Sequence, residues 1–351
     1  MQFVCYHDWE SLPESADTLF AMGEKESIFY SRLWFESLAS HALMDNQVMS
    51  LACVVDGDTV LAILPLVSRT AESWHSLGNI CTTHFTLLLA AHGQQDVIAC
   101  MAKGLKQLPF HVLRLDAISE NDSNIDNLQQ AMQSCGFSCY RRFHFYNWTH
   151  RLKGHSYEEY MAARPTRMRN TIARKRRKLE REHPYDIRLY TGDELKQGKA
   201  DYDSVYKASW KAGERFHEFI NSLLVSMSAA GWLRLAILYI EGRPAAAQIW
   251  FVAHCKASIF RLAYDESWKR YSPGSILTSY LVEYVIDIDK VEEIDFLNGN
   301  DAYKQDWMSE RRECWALICI KHDKPKSWIS VFIGSLKNWL RIGKDSVHKK
   351  Q

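Results

Sequence analysis

Apolar positions come in two spacings along this chain. VMSLACVV (48–55) and TVLAILPLV (59–67) flank the polar turn DGD. Alternating and then continuous apolar residues around an Asp-Gly turn predict a β-hairpin, because Asp-Gly supplies the positive φ that a tight turn needs. Further on, QQDVIACMAKGLKQL has helical spacing, HVLRLDAI (111–118) reads as a buried strand, NIDNLQQAMQSCG as a helix ended by Gly136, and FSCYRRFHFYNW as a long strand. The order is mixed α/β.

The second half repeats the order. RLAILYI (234–240), the turn EGRP and AAAQIWFV (245–252) predict another hairpin, followed by the strand ASIFRLAYD, a helix from Ser272 and the strand EEIDFLN. Asp56 and Glu241, and likewise Asp116 and Asp295, pair at similar offsets, as two tandem copies of one fold would require. The expected division is a first domain over 1–150 and a second over 151–325. Between them, RPTRMRNTIARKRRKLEREH predicts a basic helix over 164–182: from Arg167 to Arg181 it carries eight Lys/Arg and one acid, and Pro184 stops it. Such a helix either bridges the domains as a solvated face or binds phosphate. Residues 326–351 predict a basic amphipathic helix, with Ile329, Phe332, Ile333, Leu336 and Leu340 at helical spacing. It would dock on the second domain or meet a membrane surface or partner.

Composition narrows the options. The 351 residues are 47% hydrophobic and 24% charged, as in a globular chain. The net charge of +1 hides an acidic first half and a basic second half, and the second would attract anions. Nine scattered cysteines and fourteen histidines without CxxC, HxH or HxxxH spacing predict reduced core thiols and no metal site. No leader pattern opens MQFVCYHDWE and no apolar run is long enough for a membrane span, which predicts a cytoplasmic protein, at most peripheral on the inner membrane face.

The chain lacks GxxxxGK[ST], GxSxG, HExxH and a strand-borne GxGxxG, which removes the usual nucleoside triphosphatase, serine hydrolase, zincin and dinucleotide-binding readings. What remains is the stretch from ASIFRLAYD to DFLNGNDAYKQDW (295–307). In SPGSIL, Ser272 is expected to cap a helix starting at Pro273, and Gly274 would let a pyrophosphate approach the helix opening; an ordinary capped start is the other reading.

From RNTIARKRRKLE through LAYDESWKRYSPGSIL to DFLNGNDAYKQDW, about residues 160–318, the second half resembles the acetyltransferase-like family related to cellulose-biosynthesis CelD proteins, within the GCN5-related N-acetyltransferase (GNAT) superfamily. It is also similar to FemAB-type peptidoglycan bridge transferases, which carry two such folds in tandem. The resemblance implies an α/β fold of tandem GNAT-like domains, with mixed, mostly antiparallel sheets flanked by helices. It implies acyl transfer to an amine from acetyl-CoA or another acyl-CoA, or in the FemAB branch from an aminoacyl-tRNA. The acceptor would be a small amine or an amino group on a saccharide or envelope precursor. It further implies a pyrophosphate loop at Arg270, Ser272, Gly274 and Ser275, one residue longer than the usual R/Q-x-x-G spacing. A non-catalytic scaffold of a polysaccharide system is the reading from another class.

Direct transfer needs a base, a carbonyl donor and an acid for the departing thiolate. At the end of a strand, Asp295 is the candidate base or its orienter, Tyr303 the acid, and Lys304 the oxyanion or phosphate partner. Alternatively, the acids cap a turn and Lys304 pairs with them. Arg261, Tyr264 and Asp265, on the preceding strand, are expected to face the substrate, and Trp210, Glu214 and His217 to share one face of a helix.

Overall fold

A computed structural model describes residues 1–90, 95–211, 213 and 216–322. Glu214 and the expected helix over 326–351 lie outside the described residues. In the first half run the strands β1 (Gln2–Tyr6), β2 (Met49–Asp56), β3 (Thr59–Thr70), β4 (Ser73–Ser76), β5 (Leu88–Leu89), β6 (Val112–Ser119) and β7 (Phe137–Arg151). The second half adds β8 (Tyr185–Tyr190), β9 (Leu233–Ile240), β10 (Arg243–Ala253), β11 (Lys256–Tyr264), β12 (Glu293–Asn298) and β13 (Glu310–Lys321). Helices α1 (Ala16–Glu26), α2 (Arg32–His41), α3 (Gln95–Gln107) and α4 (Ser123–Ser134) belong to the first half. Then come α5 (Tyr157–Ala162), α6 (Thr166–Glu182), α7 (Leu195–Ala208), α8 (His217–Ala229), α9 (Pro273–Asp287) and α10 (Lys304–Trp307).

Both expected hairpins form. Met49–Asp56 pairs with Thr59–Val67 across a turn where Gly57 has φ 59°, and β9 pairs with β10 across Glu241 and Gly242. Strands β2 and β3 are buried on both faces, which is why they read as apolar runs. Gly136, at φ 90°, follows α4 and turns the chain into β7.

The strands join one sheet in the order β1-β2-β3-β4-β6-β13-β7-β12-β11-β10-β9-β8, with β5 on β3. All ladders are antiparallel except two. Strand β4 pairs parallel with β6 through Ser73–Val112, Trp74–Leu113 and His75–Arg114, and β11 pairs parallel with β12 through Lys256–Glu293, Ala257–Ile294 and Ser258–Asp295. Each half therefore builds the same unit, hairpin then parallel crossover, confirming the tandem GNAT-like architecture read from the sequence.

The repeat corrects one sequence pairing. In β6 the register against β13 slips between Leu115 and Ile118, and in β12 the register against β7 slips between Asp295 and Asn298. Each slip contains one non-glycine residue with positive φ, Ala117 at 62° and Leu297 at 53°. Neither this register nor the parallel ladder, in which Arg114 stands where Asp295 does, makes Asp116 the counterpart of Asp295.

The halves also exchange strands. First-half β7 pairs with β12 and second-half β13 pairs with β6, so a cut at residue 150 divides the sequence but not the sheet. Residues of β9 alternate between two cores: Leu235, Ile237 and Tyr239 pack with the first-half core, while Ala236, Leu238 and Ile240 pack under α6 and α9.

Candidate active site between two diverging strands

Strands β11 and β12 stay paired for three residues and then part, since β11 runs on to Tyr264 and β12 to Asn298 without further mutual pairing. Two irregularities widen the gap. On β11, Ile249 and Trp250 of β10 face Arg261 and Ile259, which leaves Phe260 as a bulge, and on β12 the slip at Phe296–Leu297 bends the chain away. A cleft of about 540 Å³ opens there, at the carboxyl ends of the parallel pair, where α/β folds place ligand crevices. Phe260, Arg261 and Leu262 line one wall, Leu297, Asn298, Asp301, Tyr303 and Lys304 the other, and Trp210 and Lys211 the mouth. The first half contributes Ile80, Cys81 and Thr83.

Each described residue expected from the sequence has a definite place. Tyr303 is 41% exposed at the start of α10 and lines the cleft; partial burial, with Asp301 adding to it, pushes its phenol pKa upward, so the group stays protonated. Lys304 is only 4% exposed. Its Nζ donates to the carbonyl oxygens of Phe296 (2.7 Å), Leu297 (3.5 Å) and Asn298 (2.6 Å), tying α10 to the bent end of β12. Burial lowers the ammonium pKa, opposed by Asp301 and Asp295. With its three N–H groups directed at backbone, Lys304 holds the wall of the cleft in place of an oxyanion.

Asp295 does not line the cleft. It sits on the opposite side of β12, where Oδ1 accepts from Leu297 N at 2.7 Å and Oδ2 from Asn147 Nδ2 at 3.3 Å, with His84 Nε2 at 3.9 Å. Burial raises its pKa, opposed by His84 and the Leu297 amide. Among the described residues, Asp301 of the NGND turn is the carboxylate that lines the cleft.

Arg261 lines the cleft, with Nη2 at 2.9 Å from Cys81 Sγ and the guanidinium over the Phe260 ring at 4.6 Å. Tyr264 carries Trp210 on its ring, centroids 4.7 Å apart. Asp265 turns away: its carboxylate accepts from Ser267 N at 2.9 Å and caps the short 3-10 helix Glu266–Tyr271. Trp210 lies past the end of α7 at Ala208 and His217 opens α8, so these two do not share the expected helix face. His217 opens into a separate pocket with Tyr202 and Asn221.

The opening of α9 also differs from expectation. Ser272 is left-handed (φ 54°, ψ 52°) and makes no side-chain cap, while its carbonyl takes the N–H groups of Ser275 (3.0 Å) and Ile276 (3.2 Å). Gly274 abuts Tyr264, since a Cβ there would lie 3.3 Å from the Tyr264 ring. This places the helix opening against the end of the cleft. Cations gather beside it: Arg270 is exposed over the Tyr271 ring, Lys175 of α6 bonds the Arg270 carbonyl, and Lys178 lies 5.3 Å from the Tyr271 ring. Helix α6 is therefore no bridge between domains. It buries Met168, Ile172 and Leu179 under the second half and turns its basic face outward along α9.

Among the described residues no group of His, Cys, Asp and Glu is placed to hold a metal, and no helix is long and apolar enough to cross a membrane.

Comparisons agree with this geometry. Residues 166–305 match the family model described as an acetyltransferase (GNAT) domain. No curated protein matches the chain in sequence. Among solved structures, a conserved protein of unknown function from Bacteroides thetaiotaomicron is similar over 82% of this chain and 90% of that one, at 12% identity and TM-score 0.56. FemX is similar over 80% of this chain and 94% of that one (9% identity, TM-score 0.54). A tandem GNAT protein from the clavulanic acid biosynthesis pathway covers 90% of this chain and 97% of its own (11% identity, TM-score 0.51). At these identities the structural likeness is one of fold. The match places a GNAT domain over residues 166–305, across the opened strand pair, and the structural likeness over both halves is to a fold of tandem GNAT-like domains.

Proposed function

We propose that the second half transfers an acyl group from a coenzyme A thioester to an amine in the cleft between β11 and β12. The observation that carries this is the early end of the parallel ladder at Ser258 and Asp295. Beyond it both strand edges hold backbone donors and acceptors that a chain of amides can pair with, as a peptide pairs with a sheet edge. Such a donor fits the surroundings: its amide arm would lie along β11, and its phosphates beside Arg270, Lys175 and the Gly274 end of α9, where charge-assisted contacts are available. Tyr303, protonated and facing the cleft, would give its proton to the departing thiolate. Asp301 would hold the neutral acceptor amine by a hydrogen bond and take the proton it sheds on attack. Trp210, 48% exposed with its ring on Tyr264, is a surface on which a saccharide acceptor can stack.

The basic outer face of α6 favours one second reading, a donor carrying many phosphates such as an aminoacyl-tRNA. A thermal-shift and calorimetric series with acetyl-CoA, longer acyl-CoAs and charged tRNA separates the two. Acetyl-CoA or a longer thioester is expected to raise the melting temperature and bind one to one. Binding of charged tRNA alone would favour the second reading, and binding of none would remove both.

A further inference from the structure

Behind the first-half wall of the cleft runs a line of polar side chains that the transfer reading leaves unused. Asp295 is 7% exposed, Asn147 1% and Thr149 0%, which is deep for groups that lose hydration on burial. Asn147 Nδ2 lies 3.3 Å from Asp295 Oδ2 and 3.1 Å from His84 Nε2, while His84 Nδ1 lies 3.2 Å from Thr83 Oγ1. Thr83 belongs to the first half and, though only 1% exposed, lines the second half's cleft.

Hydrogen-bond chemistry fixes a direction along this line. An ionised carboxylate only accepts, so the Asn147 atom beside Asp295 is its NH₂ group. That group has a second hydrogen, aimed at His84 Nε2, which must then be the unprotonated ring nitrogen. Neutral His84 accordingly carries its hydrogen on Nδ1 and donates it to Thr83 Oγ1. The Thr83 hydroxyl, already accepting from His84, is left with its own O–H to donate. Burial of His84 lowers its pKa, Asp295 opposing, which keeps the ring in this neutral form.

We propose that the chain Asp295–Asn147–His84 holds the Thr83 hydroxyl as a hydrogen-bond donor facing the cleft, where it binds the carbonyl oxygen of the thioester as negative charge develops. This rests on the acyl-transfer reading above. In the step itself the amine lone pair attacks the thioester carbon, a C–N bond forms, and the carbonyl π pair moves to the oxygen that Thr83 contacts. The amine proton leaves to Asp301. Collapse then breaks the C–S bond, and the thiolate takes the Tyr303 proton. Thr83 gives up no proton, so it is the catalytic residue of the chain, and His84, Asn147 and Asp295 are positioning residues. The first half thereby completes a site whose proton-transferring groups, Asp301 and Tyr303, come from the second.

Two measurements test this. Long-range ¹H–¹⁵N correlation on ¹⁵N-histidine protein, with His84 assigned through His84→Gln, should show the Nδ1–H tautomer, lost or mixed in Asp295→Asn. Thioester turnover, read as thiol release from acetyl-CoA with hydroxylamine as acceptor, should fall about 10²- to 10³-fold in kcat for Thr83→Val with KM for acetyl-CoA unchanged, and Thr83→Ser should recover most of it. An Nε2–H or doubly protonated His84 in the parent overturns the proposal whatever the activity, and so does Thr83→Val turning over at the parent rate. A parent with the expected tautomer but no thioester turnover overturns the transfer reading, and the role of Thr83 with it, while leaving the wiring of the chain intact.

Discussion

Tyr303 and Lys304 are adjacent in sequence and divide their tasks by burial. The phenol reaches the cleft, whereas the ammonium is sealed against three carbonyls of β12. Tyr303→Phe should therefore lower kcat by about 10²- to 10⁴-fold, as loss of a general acid does, with an unchanged denaturant midpoint. Lys304→Met should do the reverse in kind. It strands buried carbonyls, so the unfolding free energy should fall by on the order of 3 kcal/mol, and any loss of activity should track loss of fold. Equal stability of Lys304→Met and its parent would contradict the structural role. At this scale the sequence was partly legible: the acid, Asn-Gly turn and Tyr-Lys of DFLNGNDAYKQDW marked the right segment. It did not show which side of β12 each residue faces. Asp295 faces away from the cleft, whereas Phe296, Leu297 and Asn298 around the slip, and Tyr303 beyond the strand, line it.

Among the elements, hairpins and amphipathic helices were legible because their signals are local: turn chemistry around Gly57 and Gly136, and a narrow apolar stripe on α6. The opening of α9 was not. Ser before Pro reads as a cap, but the preceding 3-10 helix forces Ser272 into the left-handed region, where its hydroxyl makes no cap. Trp210 and His217 likewise carry helical spacing, yet Trp210 lies past the end of α7 and His217 opens α8. If the donor's phosphates sit between α6 and α9, the double variant Lys175→Glu, Arg270→Glu should weaken acetyl-CoA binding more than tenfold and flatten its salt dependence, since each charge-assisted contact contributes roughly 1.5–3 kcal/mol. Unchanged affinity in a folded double variant would move the phosphates elsewhere.

For the whole molecule, what the sequence concealed is the exchange of β7 and β13, which sets Asn147 beside Asp295, and the packing of Thr83 and His84 against the second half. Those contacts join residues far apart in the chain, and no periodicity encodes them. Burial on this scale also fixes the acid response. His75 and His150 are pushed down to about 4 from the ordinary 6.5 by burial, and His84 and His144 are lowered for the same first reason. Between those values the folded chain binds fewer protons at these sites than the unfolded chain, so stability present above about pH 6.5 is lost as the pH falls. Raised pKa values at Asp122 and Asp295, again from burial, act in the opposite sense but are two carboxyls against four imidazoles. The melting temperature should drop between about pH 6.5 and pH 4.5, and a rise across that range would contradict the burial of these rings.

The claim on which the rest depends is that the parted edges of β11 and β12 receive an acyl thioester. Amide hydrogen exchange with and without acetyl-CoA tests it most directly. The account predicts slowed exchange from Ile259 to Tyr264, at Leu297 and Asn298, and at the start of α9, with the remaining β10–β11 ladder unchanged. Saturating acetyl-CoA that leaves those amides exchanging as before, or protects only a surface away from the cleft, would contradict it.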